Sequence, residues 1–273
     1  MGRSARLQQF VGSLAAIVCL LSTAGPSAGT AAATEIVRIY GPGGPAPAIR
    51  EAAAEFSKRQ GVEIQVQTGP VPEWLAQAKE DADLVFSGSE HMMTDLVWAM
   101  EGRIAEDTIA PLFLRPAVIL VRPGNPKKIG GVKDLLEPDM SLLVVNGAGQ
   151  SGLWEDIIGR TGDIDKLRRL RKNIAAFARD TGEAAKLWAD RPEIDAWLVW
   201  NVWGVGDRTE TDIVPIEETL RIYRPVSVAL TRRGQKREPA VGFYAFVQSP
   251  DGRSIFEKWG WTEKAGKSGK PEK

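Results

Sequence analysis

At three points in this 273-residue chain an apolar run breaks directly into glycine. The strings are "YGPGGP" (residues 40–45), "FSGSE" (86–90) and "NGAGQSG" (146–152), and the first and third open helical patterns. A strand that turns through glycine into a helix is the joint a parallel sheet requires, because parallel neighbours are connected by crossovers. The flanking pattern agrees. "EIVRIY" (35–40) reads as a strand, and Ile49, Ala52, Ala53 and Phe56 follow at helical spacing up to Gly61. "VEIQVQT" (62–68) alternates like a half-exposed edge strand, and a helix around 73–79 leads into the strand of "ADLVFSGSE".

A second series begins with the strand "AVILVRPGNP" (117–126), the helical turn "VKDLL" and the strand "SLLVV". Helices around 153–159 and 164–172, a candidate strand "NIAAFA", and strands in "IDAWLVW", "TDIVPI" and "RIYRPVSVALT" come next, with "SIFEKWGW" as a closing helix. The expected architecture is α/β, in two lobes crossed more than once. The tail "TEKAGKSGKPEK" has no large apolar residue and reads as disordered.

Arg3 and Arg6 precede the apolar segment "FVGSLAAIVCLL" and a run of small residues ending in an A-x-A site at 31–33. These features read as a secretory signal peptide over residues 1–33, which places the protein in the periplasm. An uncleaved anchor is the competing reading, although the apolar run is short for a membrane span. Cys19, the only cysteine, lies inside the signal, so neither disulfide nor thiolate chemistry is expected of the mature chain. Removing residues 1–33 takes away two arginines and no acid. The slight acidic excess that remains excludes a general nucleic-acid binder.

Ligands of open α/β sheets sit at the carboxyl ends of strands. Glycine lets backbone N–H groups approach closely, and a helix N-terminus favours negative charge. Ser87, Ser89 and Ser151 add hydroxyl donors. Together the three turns read as a neutral cradle for a small anion, with no buried countercharge and so no cation to desolvate. Each turn alone has a plainer reading, as a tight turn or, at Ser151, a helix cap. Gly147, Gly149 and Gly152 also spell G-x-G-x-x-G, but a dinucleotide site wants an acid about 20 residues on. Position 172 is Lys172, and Asp180 comes late. No Lys-Ser or Lys-Thr follows the glycines, which removes a P-loop. No cofactor is expected.

The strings "YGPGGPAPAI", "EWLAQAKEDADLVFSGSEHMM", "LRPAVILVRPGNP", "LLVVNGAGQSGLWED", "DAWLVWNVW" and "IFEKWGW" resemble the accessory colonization factor C-like proteins. That family is related to the type II periplasmic solute-binding proteins, including the molybdate- and sulfate-binding proteins. The resemblance implies a two-lobed type II periplasmic binding protein fold with mixed sheets and a two-strand hinge. Lobe 1 would be residues 34–120 plus 222–262 and lobe 2 residues 121–221, with 263–273 as the tail. It implies a small anionic ligand between the lobes, either a tetrahedral oxyanion, a phosphorylated acid or a carboxylate. A membrane permease or chemoreceptor is the implied partner, and homodimers and surface adhesins also occur in the family.

Matched to the contact loops of the molybdate-binding relatives, the resemblance implies ligand roles for Gly43, Gly44, Ser87, Gly88 and Ser89. It implies the same for Gly147, Ala148, Gly149, Gln150 and Ser151, and for Trp200 and Asn201 at a later strand end. There the pattern departs: the molybdate proteins carry an Asp and a Tyr, whereas "VWNVW" offers Asn201 as a donor. This leaves room for a carboxylate or phosphate ester. Trp200 and Trp203 either wall the cleft or pack the core. Arg115, beside Pro116 near the expected hinge, is a candidate bidentate partner for a carboxylate or phosphate, or else a member of a surface or interlobe ion pair. His91, the only histidine, makes neither a metal site nor a hydrolytic triad and reads as a surface residue at a helix start. The sequence thus describes an exported, non-enzymatic solute-binding protein, with a surface adhesin as the alternative.

Overall fold

The computed structural model describes residues 35–147, 149–206 and 211–264. The segment read as a signal peptide, Ala148 and residues 265–273 of the expected tail lie outside the described residues; Thr262 and Glu263, read as part of a disordered tail, are instead held by Leu114 and Arg253. The elements begin with β1 (Ile36–Gly41), α1 (Ala46–Gln60), β2 (Glu63–Thr68), α2 (Val71–Asp81), β3 (Leu84–Ser87) and α3 (Glu90–Ala99). A long strand, β4 (Ala110–Val121), leads to β5 (Leu142–Val145), α4 (Leu153–Gly159), α5 (Ile164–Asn173) and β6 (Ile174–Ala178). Then come α6 (Thr181–Asp190), β7 (Ala196–Trp200), α7 (Val202–Gly206), β8 (Asp212–Pro215), β9 (Tyr223–Leu230), α8 (Glu238–Val247) and α9 (Pro250–Lys258).

The strands run in the order β2-β1-β3-β9-β4-β7-β5-β6, with β8 paired to β4. β1 is parallel to β2 and β3, and β5 is parallel to β6 and β7. β4 changes partners along its length: residues 110–116 pair antiparallel with β9, and residues 117–121 with β7 and β8. It is thus shared by two halves, each with a parallel centre. The chain crosses outward along β4 and returns through the segment between β8 and β9. The sequence reading starts this strand at Ala117, seven residues late. Pro111 and Pro116 donate no ladder hydrogen bond and so mask its first half; a register shift lies between Pro111 and Phe113.

Helix α1 buries Ile49, Ala52, Ala53 and Phe56, as their spacing predicts, and stops at Gly61. There φ is 68° and the N–H donates to the Ser57 carbonyl, a left-handed C-cap. β2 alternates exposed and half-buried residues at the sheet edge. α6 and α8 have no counterpart in the sequence reading. α8, "EPAVGFYAFV", is apolar nearly all round, so its buried Ala240, Phe243 and Val247 do not stand out at helical spacing.

One continuous core runs beneath α1, α8 and α9 and on under α4 and α5 in the second half. α2 and α3 enclose a separate cluster on the other face of the first half, and α6 encloses one on the second. The closing segment is tied to β4 by a chain of rings, with Phe113 4.7 Å from Phe256 and Phe256 6.0 Å from Trp261. Backbone hydrogen bonds exchanged between Leu114 and Thr262 hold it there. Phe256→Ala is therefore expected to cost about 3–5 kcal/mol, the range for deleting a buried aromatic ring. Urea unfolding measures it, and a loss below about 1 kcal/mol would show that the closing segment does not depend on this ring.

Candidate functional site

The turns that end β1 and β3 in the first half face the turns that precede α4 and α6 in the second, around one cleft of about 940 Å³. Gly43 and Gly44 lie before α1, Gly88 and Ser89 before α3, and Thr181 and Gly182 in the first turn of α6, all on the cleft wall. The N-termini of α1, α3 and α6 therefore converge on the same space. Their aligned dipoles favour negative charge there; at α6 the Asp180 carboxylate, which also lines the cleft, already accepts the Glu183 N–H.

Arg115 forms the floor, just before β4 changes partners, and is 2% exposed. Its Nη2 donates to the Gly88 carbonyl at 2.8 Å, while its buried Nε has no partner. The guanidinium carbon stacks 4.9 Å from the Trp200 ring centre and 5.1 Å from that of Trp261. Among the described residues no carboxylate pairs with it. Burial, and then the like charge of Arg224, push the guanidinium down to about 9, which leaves it charged at neutral pH. Arg224 is its direct neighbour across β9 and is itself held by Asp156 at 3.0 Å.

The space around this charge is cut to fit. A Cβ at Gly44 would stand 2.5 Å from Nη1, and one at Gly88 2.6 Å from Nη2. A buried, unpaired charge costs several kcal/mol. Two cation–π contacts of about 0.5–2 kcal/mol each and one carbonyl hydrogen bond offset part of that cost. An anion in the cleft would supply the remainder. The neutral cradle expected from the sequence is thus corrected: a cation lies at its centre, and the ion pair considered for Arg115 does not form.

Of the other residues singled out in the sequence, Gly149, Gln150, Ser151 and Trp200 also line the cleft. Ser89 Oγ accepts the Met92 N–H at 3.1 Å, capping α3, so its own hydrogen is free to donate. Gln150 Nε2 donates to Thr181 Oγ1 at 2.8 Å. Trp203 faces Gly43 and lies 3.9 Å from where its Cβ would be. The His91 side chain is 75% exposed, 3.6 Å from Asp95 on the rim.

Three residues lie off the cleft surface. Ser87 is fully buried opposite Ser227, on the face covered by α2 and α3. Gly147 packs on the Arg179 carbonyl, 2.2 Å from where a Cβ would stand. Asn201 Nδ2 donates to the Gly260 carbonyl at 2.6 Å and ties the end of β7 to the closing turn. Sequence reasoning missed Thr181 and the turn from Gly69 to Pro72. Both carried a signal: Asp180 caps a helix after a strand, and Gly69 follows β2 as the other glycines follow theirs. Among the described residues no cluster of His, Cys, Asp or Glu could hold a metal ion.

Comparison with known proteins fits this geometry. The crystal structure of PEB3 with bound L-phospholactate superposes with a TM-score of 0.78 at 35% identity, covering 84% of this chain and 100% of that one. A structure of Peb3 from Campylobacter jejuni gives 0.77, also at 35% identity and with the same coverage. The sulfate-binding protein of Escherichia coli (strain K12) is 23% identical over 245 residues, 77% of this chain and 74% of that protein. The periplasmic molybdate-binding protein of Azotobacter vinelandii shares the fold at 15% identity, with a TM-score of 0.66 over 84% of this chain and 100% of that one. The two-lobed type II periplasmic binding protein fold expected from the sequence is therefore the fold of this chain. Residues 37–262 match the family described as bacterial extracellular solute-binding protein, and the chain belongs to that family.

Proposed function

We propose that the cleft binds a small anion against Arg115 and that the protein serves uptake or sensing of that anion outside the cytoplasm. The observation that carries this reading is the buried guanidinium without a carboxylate partner, set among converging helix N-termini. PEB3 with L-phospholactate and the sulfate-binding relative support an acidic ligand. Residues 1–33 act as the export signal in this reading.

The mechanism is binding coupled to closure. Gly44, Gly88 and Ser89 belong to the first half, and Gln150 and Thr181 to the second, so an anion that touches both favours the closed form. Residues 34–116 plus 222–262 move as one lobe and 117–221 as the other, the boundary expected after residue 120 drawn back to where β4 changes partners, about the crossings in β4 and between β8 and β9. A membrane permease or chemoreceptor then reads the closed state. No covalent step is involved.

Thermal unfolding of the purified protein, stripped of ligand by refolding, tests the proposal with sulfate, molybdate, phosphate, citrate and phosphoglycerate, and with chloride as the salt control. An anion at about 100 times its dissociation constant is expected to add about 2.7 kcal/mol of stability. Arg115→Met should abolish that gain while leaving the ligand-free midpoint unchanged or higher, because a buried charge has been removed. No gain from any anion would sink the proposal and leave a surface adhesin ahead.

Gly44→Ala gives a narrower test. Its methyl group displaces the guanidinium of Arg115 rather than backbone, so affinity should fall at least about tenfold while the protein still folds. An unchanged affinity would show that the guanidinium does not touch the ligand. Sulfate affinity should also be flat through neutral pH and fall only above about pH 9. Above that pH the free protein releases the Arg115 proton, which binding must restore. Isothermal titration at fixed ionic strength measures this, and a fall centred between about pH 6 and 7 would remove Arg115 from the role.

A further inference from the structure

The cleft is larger than its polar end needs. Its 940 Å³ lies near the top of the range of about 300–1,000 Å³ that encloses ligands of drug size, far beyond a tetrahedral oxyanion. Polar groups gather on the second half at Gln150, Ser151 and Thr181, and where α3 begins, at Ser89, Gly88 and Arg115. From there the lining follows one face of α3 through Met92, Asp95, Leu96 and Ala99. Ser89 and Ala99 are ten residues apart, which at 1.5 Å per residue is about 15 Å of wall.

Pro70, Val71 and Pro72, at the start of α2, complete this arm, and Val71 packs against the same apolar cluster as Leu96. The apolar lining of the arm is Pro70, Val71, Pro72, Met92 and Ala99, with Leu96 buried behind it and the exposed side chains of His91 and Asp95 at its edge. Asp95, paired with His91 on the solvent side, opposes a second negative charge there.

We propose that the arm seats the uncharged apolar body of an organic anion whose acidic head is held at Arg115. The ligand class is then a monosubstituted organic acid, such as a phosphate monoester carrying an aromatic or branched group, rather than a bare tetrahedral oxyanion. This inference rests on the anion-binding reading of the cleft and adds the part of the ligand that gives selectivity. An apolar body gains from leaving water along α3, in proportion to the area covered.

Isothermal titration of the purified protein with inorganic phosphate, methyl phosphate, butyl phosphate and phenyl phosphate tests it. Phenyl phosphate should bind at least about tenfold more tightly than methyl phosphate, with a more negative heat-capacity change and butyl phosphate in between. Ala99→Phe, which fills the far end of the arm, should bring phenyl phosphate down to the level of methyl phosphate. Val71→Asn should lower it by a smaller factor. If either variant fails to fold, the wild-type ligand series decides alone. Equal affinities along the series, or a preference for inorganic phosphate, would overturn the arm while leaving the anion site in place. No binding by any member would overturn both.

Discussion

Everything around the cleft is arranged about one positive charge that the protein does not neutralise. Arg115 is buried on the strand that both halves share, with a single hydrogen bond to the Gly88 carbonyl. Ions inside proteins are ordinarily paired, since desolvating one costs more than isolated contacts return. Here the contacts are the faces of Trp200, from the end of β7, and Trp261, from the segment after α9. Two glycines stay bare because the guanidinium occupies the space their side chains would take. The surroundings hold the ion in place without cancelling it.

Position along β4 gives that charge its reach. Up to Pro116 the strand pairs with β9, and from Ala117 it pairs with β7 and β8, so Arg115 sits where the two halves are joined. The opposite residue, Arg224, would double the charge, but Asp156 at the start of α4 takes it up. The Asp180 carboxylate caps α6 and Glu183 takes up Arg179, so the unpaired charge at the centre of the cleft is that of Arg115, with the ends of α1 and α3 beside it. A ligand drawn there meets groups from both halves at once, which is the physical requirement for coupling binding to closure.

The joints of the fold were legible because strand, glycine and helix succeed one another with clean periods, as in β1 and α1. The crossing strand was half hidden because its prolines break the alternation by which strands are read. α8 was missed for the opposite reason: a helix apolar on most sides shows no stripe. Gly44, Gly88 and Ser89 could be named from the sequence because their turn chemistry is local. What the sequence could not show was burial. An arginine next to a proline looks like an ordinary ion-pairing residue until the fold closes over it, and Ser87 and Asn201 look like donors until the pleat and the closing turn carry them away from the cleft. Thr181 went unseen because the strand–cap–helix joint before it uses Asp180 where the other joints use glycine.

This separation of local from tertiary information also divides the work of the site. The polar end is built mostly from backbone at helix starts, from glycine, and from one arginine fixed at the shared strand. The positions of those features are set by the strand–helix joints and by the strand that both halves share. The wall along α3 and the start of α2 is made of side chains on helix surfaces, where Val71 and Ala99 are only half-buried. Substitution there changes volume and polarity while leaving strand order and hinge untouched. Under the proposed function, charge recognition stays with the scaffold, and discrimination among acids falls to the few side chains that line the rest of the cleft.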